Sequence, residues 1–164
     1  MPSSRGFVLD PQHRAFVSKG VSIIVASRDA ANRPVVCRGC GCEALDDGRL
    51  RVFVDAACGR PLLDSVAVTH AVAAVFSEPA THRTVQFKGT DGAVVPVDGR
   101  CAALLHAYRA AFSAALQNLG YGESMAGGLT NFEPDTIRSV VFTPTAAFDQ
   151  TPGPGAGEPM SQVR

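Results

Sequence analysis

Residues 71–89 read AVAAVFSEPATHRTVQFKG, and two strand-like runs meet within this stretch. The first run, from Ala71 to Phe76, is apolar at every position, which is typical of a strand covered on both sides of a sheet. The Glu78-Pro79 pair then interrupts the pattern before a second run begins. The stretch therefore predicts two neighbouring strands joined by a turn, one of them central to a covered sheet.

The second run alternates in polarity. Val85 and Phe87 point to one side of the predicted strand, whereas Thr84, Gln86 and Lys88 point to the other. Such a strand buries one face and presents hydrogen-bonding groups on the other. Two interpretations follow from the pattern alone: the polar row lines a ligand site, or it is an ordinary solvated face.

Composition limits the class of protein. The chain has 164 residues and is 46% hydrophobic, so it can bury a substantial core. We expect a single domain over residues 1–150, followed by a Pro- and Gly-rich tail over 151–164 that is extended or disordered. Fifteen basic residues balance fifteen acidic ones, which argues against nucleic-acid or anionic-membrane binding. The N-terminus has no signal-peptide pattern and no apolar run is long enough to span a membrane, so a cytoplasmic location is expected.

The first half of the chain predicts a β-meander. Asp10-Pro11 begins a short helix that Gly20 ends, and strands follow over 21–27, 34–45 and 49–55. Polar turns separate these strands, including Asp46-Asp47-Gly48. Within the second strand, Gly39 and Gly41 indicate a bulge or a close neighbour. In the third, Leu50, Val52 and Val54 are expected to point inward.

The second half adds helices around the sheet. Residues 56–69 predict a loop leading into a short helix near Pro61, and residues 93–97 extend the sheet. Asp98 is expected to cap a long helix that ends at Gly120, with apolar residues from Leu104 to Leu119 on its buried side. Residues 121–129 (YGESMAGGL) predict a Gly-rich loop suited to a mobile lid, and residues 136–143 a last strand. The predicted fold is mainly β with flanking helices, a small antiparallel barrel.

The cysteines and one arginine are the side chains best suited to bind a metal ion or an anion. Five cysteines without an export signal are expected to be reduced thiols: Cys37, Cys40, Cys42, Cys58 and Cys101. Residues 37–42 (CRGCGC) contain a CxxC pair, but nothing nearby supplies the remaining ligands of a tetrahedral site, and extended geometry would separate Cys37 from the other two, so no metal is expected. Arg60, beside a predicted helix N-terminus, favours an anion such as phosphate or is simply solvated.

Residues 49–89 resemble the core of the pyridoxamine 5'-phosphate oxidase-like flavoproteins. Their pattern is a strand, a basic phosphate-binding loop, a short helix, a strand of the form vAlvF and a strand ending in V-x-G. In this chain the first strand corresponds to 49–55, the phosphate-binding loop to 58–61, and the last two strands to 72–76 and 83–89. The resemblance extends over about residues 10–145 in the order of elements. It implies the FMN-binding split barrel, an antiparallel α+β fold.

The resemblance also implies a site. FMN would lie at a homodimer interface, with its phosphate held by Arg38 and Arg60 and by the N–H groups of Cys58 and Gly59. The flavin itself would meet Thr84 and Gln86, with Lys88 nearby. Cys-Gly-Arg-Pro replaces the Ser-Arg-Lys run of the true oxidase, and the tail lacks that enzyme's substrate-gripping segment. The resemblance thus implies an FMN-dependent oxidoreductase for another small molecule. The alternatives are a non-catalytic haem or flavin protein, with His82 or His70 as axial ligand, and a deazaflavin-dependent reductase.

Overall fold

The computed structural model describes residues 7–161, so the predicted N-terminal leader and the last three tail residues lie partly or wholly outside the described residues. The elements follow one another along the chain in this order: α1 (Pro11–Val17), β1 (Ser22–Arg28), β2 (Pro34–Ala44), β3 (Leu50–Asp55), α2 (Ala56–Thr69), β4 (Val72–Ser77), β5 (Thr84–Gly89), β6 (Ala93–Val95), α3 (Gly99–Asn118), α4 (Glu123–Leu129), a 3-10 turn (Pro134–Thr136), β7 (Ile137–Phe142) and β8 (Ala146–Asp149).

All eight strands form one antiparallel sheet in the order β6-β7-β3-β2-β1-β4-β5-β8. The β1-β2-β3 meander and the β4-β5 hairpin confirm the local pairings that the sequence predicted. Four further pairings join segments far apart in the chain: β1 with β4, β3 with β7, β5 with β8 and β6 with β7. The edge strands β6 and β8 do not pair with each other among the described residues, so the curved sheet stays split.

The concave side of the sheet holds the core. Its strands contribute side chains with almost no exposed surface, among them Ile23, Val54, Phe76 and Phe87. Burying a side chain of this kind contributes about 1.5–3 kcal/mol relative to leaving it in water. The inward orientations predicted for β3 and β5 are confirmed, since Leu50, Val52, Val54, Val85 and Phe87 are all buried.

A β-bulge in β2 changes the predicted arrangement of the cysteines. The register with β3 shifts between Gly39 and Gly41, so Cys40 becomes the extra residue. After this shift Cys42 packs in the same core cluster as Cys37, whereas Cys40 packs with a second cluster around Phe53. The expectation that Cys37 lies on the opposite face from Cys42 is therefore wrong, because it assumed an uninterrupted strand.

Two segments that the sequence assigned to loops are helical. Helix α2 begins at Ala56, five residues before Pro61, because the Asp55 carboxylate caps it by accepting the Ala57 N–H at 2.9 Å. Residues 123–129 form α4, whose Ala126 is buried, so the predicted Gly-rich loop is wrong for this part.

The long helix α3 follows its prediction closely. Asp98 caps it, and Gly120 follows its end with a φ of 88°. Its buried side consists of Cys101, Leu105, Tyr108, Phe112 and Leu116. The outermost leucines of the predicted stripe, Leu104 and Leu119, are exposed instead.

The segment after β8 turns back onto that strand. Met160 N–H donates to the Ala147 carbonyl at 2.8 Å, and Phe148 bridges Pro159. Met160 also packs against the core. The described part of the predicted tail is thus attached to the sheet rather than extended away from it.

Candidate functional site

The convex side of the sheet carries the predicted flavin contacts. Because side chains alternate along each strand, the residues that point away from the core form one surface, which we call the outer face. The outer face consists of Ser22, Ile24, Ala26, Val36, Arg38, Ala73, Val75, Ser77, Thr84, Gln86 and Lys88. Small and apolar residues dominate its centre, and polar residues lie toward its two sides.

Arg38 and Gln86 belong to one cross-strand row of the outer face. The row runs Arg38, Ile24, Val75, Gln86, so β1 and β4 separate the two polar side chains. Three strand spacings correspond to about 14 Å. The sheet thus brings Arg38 and the polar row of β5 onto one surface, at opposite sides of an apolar strip.

Arg38 is half-buried and lacks a charged partner. Its guanidinium donates to the Ser22 hydroxyl at 3.3 Å and lies 6.0 Å from the centre of the Phe112 ring. Among residues 7–161, no carboxylate lies within ion-pair distance of it. A half-buried cation held by one neutral hydroxyl and an aromatic ring is well suited to bind an anion.

A cavity of about 470 Å³ opens beside Arg38, and we call it the larger cavity. Its polar wall contains Ser22, Arg38, Ser77 and His82. Helices α3 and α4 and the turn between them supply its apolar wall, with Phe112, Leu116, Leu119, Tyr121, Met125 and Leu129. This volume falls in the range of small-molecule sites, which combine apolar walls with a few polar groups.

A second cavity of about 190 Å³, the smaller cavity, shares Arg38 with the first. Cys40, Asp55, Cys58 and Tyr108 line it together with residues 128–132. The Asp55 carboxylate accepts hydrogen bonds from the Ala57 N–H and, at 2.6 Å, from the Thr136 hydroxyl. This carboxylate disfavours a phosphate at the start of α2, because like charges repel there.

The structure separates the four predicted phosphate ligands. Arg38 and Cys58 line the smaller cavity together. Gly59 is buried against Val54 and Cys37, and Arg60 is exposed one residue further along α2. Cys58 and Gly59 were expected to offer loop N–H groups, but both lie in the helix. The Gly59 N–H, as that of the fourth helical residue, is positioned to bond the carbonyl four residues before it.

The polar side chains of β5 already have partners within the chain. Thr84 Oγ1 lies 2.8 Å from Ser77 Oγ and donates to the His82 carbonyl at 2.9 Å. The Gln86 carboxamide oxygen accepts from Gln150 at 3.4 Å. Lys88 is exposed, with its ammonium 4.7 Å from the centre of the Phe148 ring. None of these three residues lines the larger cavity, although Thr84 contacts Ser77, which does.

Sequence reasoning missed the helical wall of the larger cavity. Tyr121 and Met125 were part of the predicted Gly-rich loop, and Phe112 and Leu116 were expected only as core residues. The available signal was the presence of three large hydrophobic residues, Leu119, Tyr121 and Met125, within seven positions around the predicted end of the long helix. The structure shows all three to be exposed.

The two candidate axial histidines differ in their surroundings. His82 is exposed, lies in the turn between β4 and β5 and lines the larger cavity. His70 ends α2, and its Nδ1 lies 2.8 Å from the Gly92 carbonyl. Within residues 7–161, no three histidine, cysteine or acidic side chains are grouped closely enough to hold a metal ion. No helix of the same residues combines the length and apolar character needed to cross a membrane.

The residues around Arg38 fit the phosphate end of a flavin nucleotide. A phosphate needs charge-assisted donors, and Arg38 offers a guanidinium that no described carboxylate neutralises. The larger cavity beside it provides apolar surface for an aromatic ring system. Arg38 is therefore the residue on which the fit depends, whereas the start of α2 contributes less than the sequence implied.

Comparisons with solved structures support the fold. HupZ of Group A Streptococcus superposes with a TM-score of 0.54 at 13% identity, covering 92% of this chain and all of that one. A putative pyridoxamine 5'-phosphate oxidase from Lactobacillus delbrueckii gives 0.52 at 13% identity, covering 90% and 97%. No protein-family model matches the sequence, and no curated protein matches it at a significant score. On the evidence of its sheet topology and these neighbours, the chain has the split-barrel fold of the pyridoxamine 5'-phosphate oxidase-like proteins.

Proposed function

We propose that the chain binds FMN and acts as a flavin-dependent oxidoreductase on a small molecule. The observation that carries this proposal is Arg38, a half-buried cation without a described carboxylate partner, in the same outer-face row as Gln86. The putative pyridoxamine 5'-phosphate oxidase from Lactobacillus delbrueckii has the same fold, which is consistent with flavin chemistry on this fold.

Each part of the site has its own role in this proposal. Arg38 donates to the phosphate, and Cys58 forms part of the wall beside it. The polar groups of Thr84, Gln86 and Lys88 provide contacts at the other side of the outer face. When bound, the flavin supplies the redox chemistry, and the chain supplies binding, orientation and exclusion of water.

A homodimer is part of the same proposal. The outer face is largely apolar between its polar sides, and Val36 on it is 69% exposed. A second copy of the chain would cover this surface and would enclose a ligand lying on it. We also predict that the protein is cytoplasmic.

Titration of the purified protein with FMN tests the cofactor. We expect Arg38→Ala to weaken FMN binding by about 10- to 100-fold, since a hydrogen bond to a charged group contributes about 1.5–3 kcal/mol. Arg100→Ala is the matched control, because Arg100 is an exposed arginine whose only described ionic partner is Asp98. If neither Arg38→Ala nor Arg60→Ala changes the dissociation constant, the phosphate site is assigned to the wrong residues.

One observation favours haem as a second candidate. His82 lines the larger cavity together with eight apolar or aromatic side chains and with Arg38, a combination that suits a porphyrin with anionic substituents. Titration with hemin would then produce a Soret band that His82→Ala abolishes. His70→Ala is the control, because the His70 ring is engaged with the Gly92 carbonyl. A Soret band that persists in His82→Ala excludes His82 as the ligand.

A further inference from the structure

Cys37 and Cys58 lie close together although they are 21 residues apart in the chain. Their Sγ atoms are separated by 4.0 Å. Cys37 points into the core from β2 and is 9% exposed, whereas Cys58 lies in the first turn of α2 and is exposed. The two thiols therefore meet where the start of the helix rests on the sheet.

Gly59 makes this close approach possible. A Cβ atom at position 59 would lie only 3.0 Å from the Cys37 Sγ and would also collide with Val54. Because glycine has no side chain, the first turn of α2 lies directly on β2 and β3. The helix thus holds Cys58 against Cys37, and the contact does not depend on long flexible side chains.

Only a short movement of the two sulfur atoms is needed to form a disulfide. The two sulfur atoms must approach from 4.0 Å to about 2.05 Å, a change that side-chain rotation can supply. The Cys58 thiol donates to the Asp55 carbonyl at 3.6 Å, and the Cys37 thiol to the Arg38 carbonyl at 3.4 Å. Both contacts are weak, so little is lost when the thiols turn toward each other.

Among the five cysteines, all of which are described, only Cys58 is exposed. Cys42 and Cys101 are buried, and Cys40 is half-buried. Burial raises the pKa of the Cys37 thiol to about 11, with a smaller contribution from the neighbouring Cys58, and raises that of Cys40 to about 12. An incoming reagent therefore meets Cys58 first, because a buried and protonated thiol reacts slowly.

We propose that Cys37 and Cys58 form a reversible intramolecular disulfide by exchange with a small disulfide such as oxidised glutathione. The Cys58 thiolate attacks one sulfur of the reagent, and one glutathione thiolate leaves. The Cys37 thiol then loses its proton to solvent, attacks the Cys58 sulfur and releases the second glutathione thiolate. In total, two protein thiols are oxidised to one disulfide and the reagent is reduced to two thiols.

The bond would form at the wall of the smaller cavity, next to Arg38. It would tie the start of α2 to β2 and withdraw the Cys58 side chain from the cavity. The formation of the bond does not depend on the proposed cofactor, so the two proposals can fail separately.

Peptide mapping without reduction tests the proposal directly. Trypsin places Cys37 in peptide 29–38, Cys58 in 52–83, Cys40 and Cys42 in 39–49 and Cys101 in 101–109. After native protein is incubated with oxidised glutathione and free thiols are blocked, we expect peptides 29–38 and 52–83 to be linked. Dithiothreitol should return both to the free thiol form.

Single variants establish the order of the two steps. In Cys37→Ser, Cys58 should remain as a stable glutathione adduct, and in Cys58→Ser, Cys37 should remain free. Cys40→Ser is the matched control and should keep the linkage. A stable glutathione adduct on Cys58 of the unmodified protein, a link to peptide 39–49, or a disulfide-linked dimer on a non-reducing gel would each overturn the proposal. The mapping of the unmodified protein decides the matter even if a variant fails to fold.

Discussion

At the scale of single residues, Gly59 sets the distance between α2 and the sheet. Replacing it with alanine puts a Cβ against the Val54 side chain and 3.0 Å from the Cys37 Sγ, inside a packed core. We expect Gly59→Ala to lower the free energy of unfolding by about 1–3 kcal/mol, the usual cost of overpacking. Urea denaturation measures this change.

Gly127→Ala provides the matched control for that substitution. Gly127 also lies in a helix, α4, but a Cβ there meets no atom within 4 Å. Alanine should be neutral or stabilising by up to about 1 kcal/mol at this position, because it favours the helix. Equal urea midpoints for the two variants would show that α2 can move away from β2 at little cost.

The buried thiol of Cys42 makes stability depend on alkaline pH. Burial raises its pKa from the usual 9.0, so the folded protein keeps a proton that the unfolded chain releases. The contribution of this protonated thiol to the free energy of unfolding is complete below about pH 9. It decreases as the pH rises further, by up to about 1.4 kcal/mol per pH unit.

Unfolding free energies at pH 8 and pH 10, measured under reducing conditions, test this dependence. Cys42→Ala should lose less stability over that interval than the unmodified protein, whatever its stability at pH 8. The same loss in both proteins would show that other groups, such as the buried Tyr108, account for the whole effect.

The sequence predicted side-chain orientations well wherever a strand is regular. Val85 and Phe87 are buried as their alternation indicated. It failed for Cys42, because one extra residue at Cys40 reverses every later orientation in β2. The two glycines beside Cys40 indicated a bulge but did not show which residue it contained.

At the scale of elements, Asp55 joins α2 to the chain before β7. Its carboxylate caps the helix and also accepts the Thr136 hydroxyl at 2.6 Å. Asp55→Ala removes both contacts and should lower the unfolding free energy by about 2 kcal/mol, at the upper end of N-cap effects. Thermal or urea denaturation measures the loss.

Asp98→Ala is the control for a cap alone. Asp98 caps α3 through the Arg100 N–H, and its carboxylate accepts no hydrogen bond from another described element. The Asp98→Ala variant should therefore lose only about 1 kcal/mol of unfolding free energy. If both variants lose the same amount, the Thr136 contact contributes nothing measurable.

The start of α2 and the existence of α4 illustrate what local patterns miss. Pro61 suggested a helix beginning near it, yet the Asp55 cap begins the helix five residues earlier, and Pro61 lies within it. In α4, the glycines disfavour a helix, but the burial of Ala126 and the bond from Thr130 to its carbonyl stabilise one. The Asp55 cap is a local contact that the signal from Pro61 obscured, whereas the burial of Ala126 is a tertiary feature that a single sequence does not display.

At the scale of the whole molecule, substitutions at two exposed valines test the proposed dimer interface, because only one of them lies on the outer face. Val36 lies on the outer face and is 69% exposed, and Val68 lies on α2 and is 65% exposed. We expect Val36→Asp to convert the dimer to a monomer, because the interface would bury an unpaired charge. Light scattering coupled to size-exclusion chromatography measures the mass.

Val68→Asp should remain dimeric, since its side chain points away from the outer face. A monomeric unmodified protein that carries its cofactor would contradict the dimer. Dissociation of both variants would indicate that the interface lies elsewhere or that the added charge acts nonspecifically.

The overall architecture was predictable only in part. Hairpin signals such as Asp46-Asp47-Gly48 specified the pairings between successive strands. The pairings of β1 with β4, β3 with β7, β6 with β7 and β5 with β8 connect distant segments, and no turn signal specifies them. These long-range pairings depend on which strands still have an unpaired edge after the local hairpins have formed. The larger cavity was missed for the same reason, since it lies between the sheet and helices from the second half of the chain.

The pairing of β3 with β7 also imposes an order on biosynthesis. Strand β3 ends at Asp55, but its partner β7 is completed only at Phe142, 87 residues later. At about 5–20 residues per second, a ribosome needs about 4 to 17 seconds to make that interval. Throughout it the nascent chain carries an apolar strand with an open edge, the kind of surface that chaperones bind and that initiates aggregation.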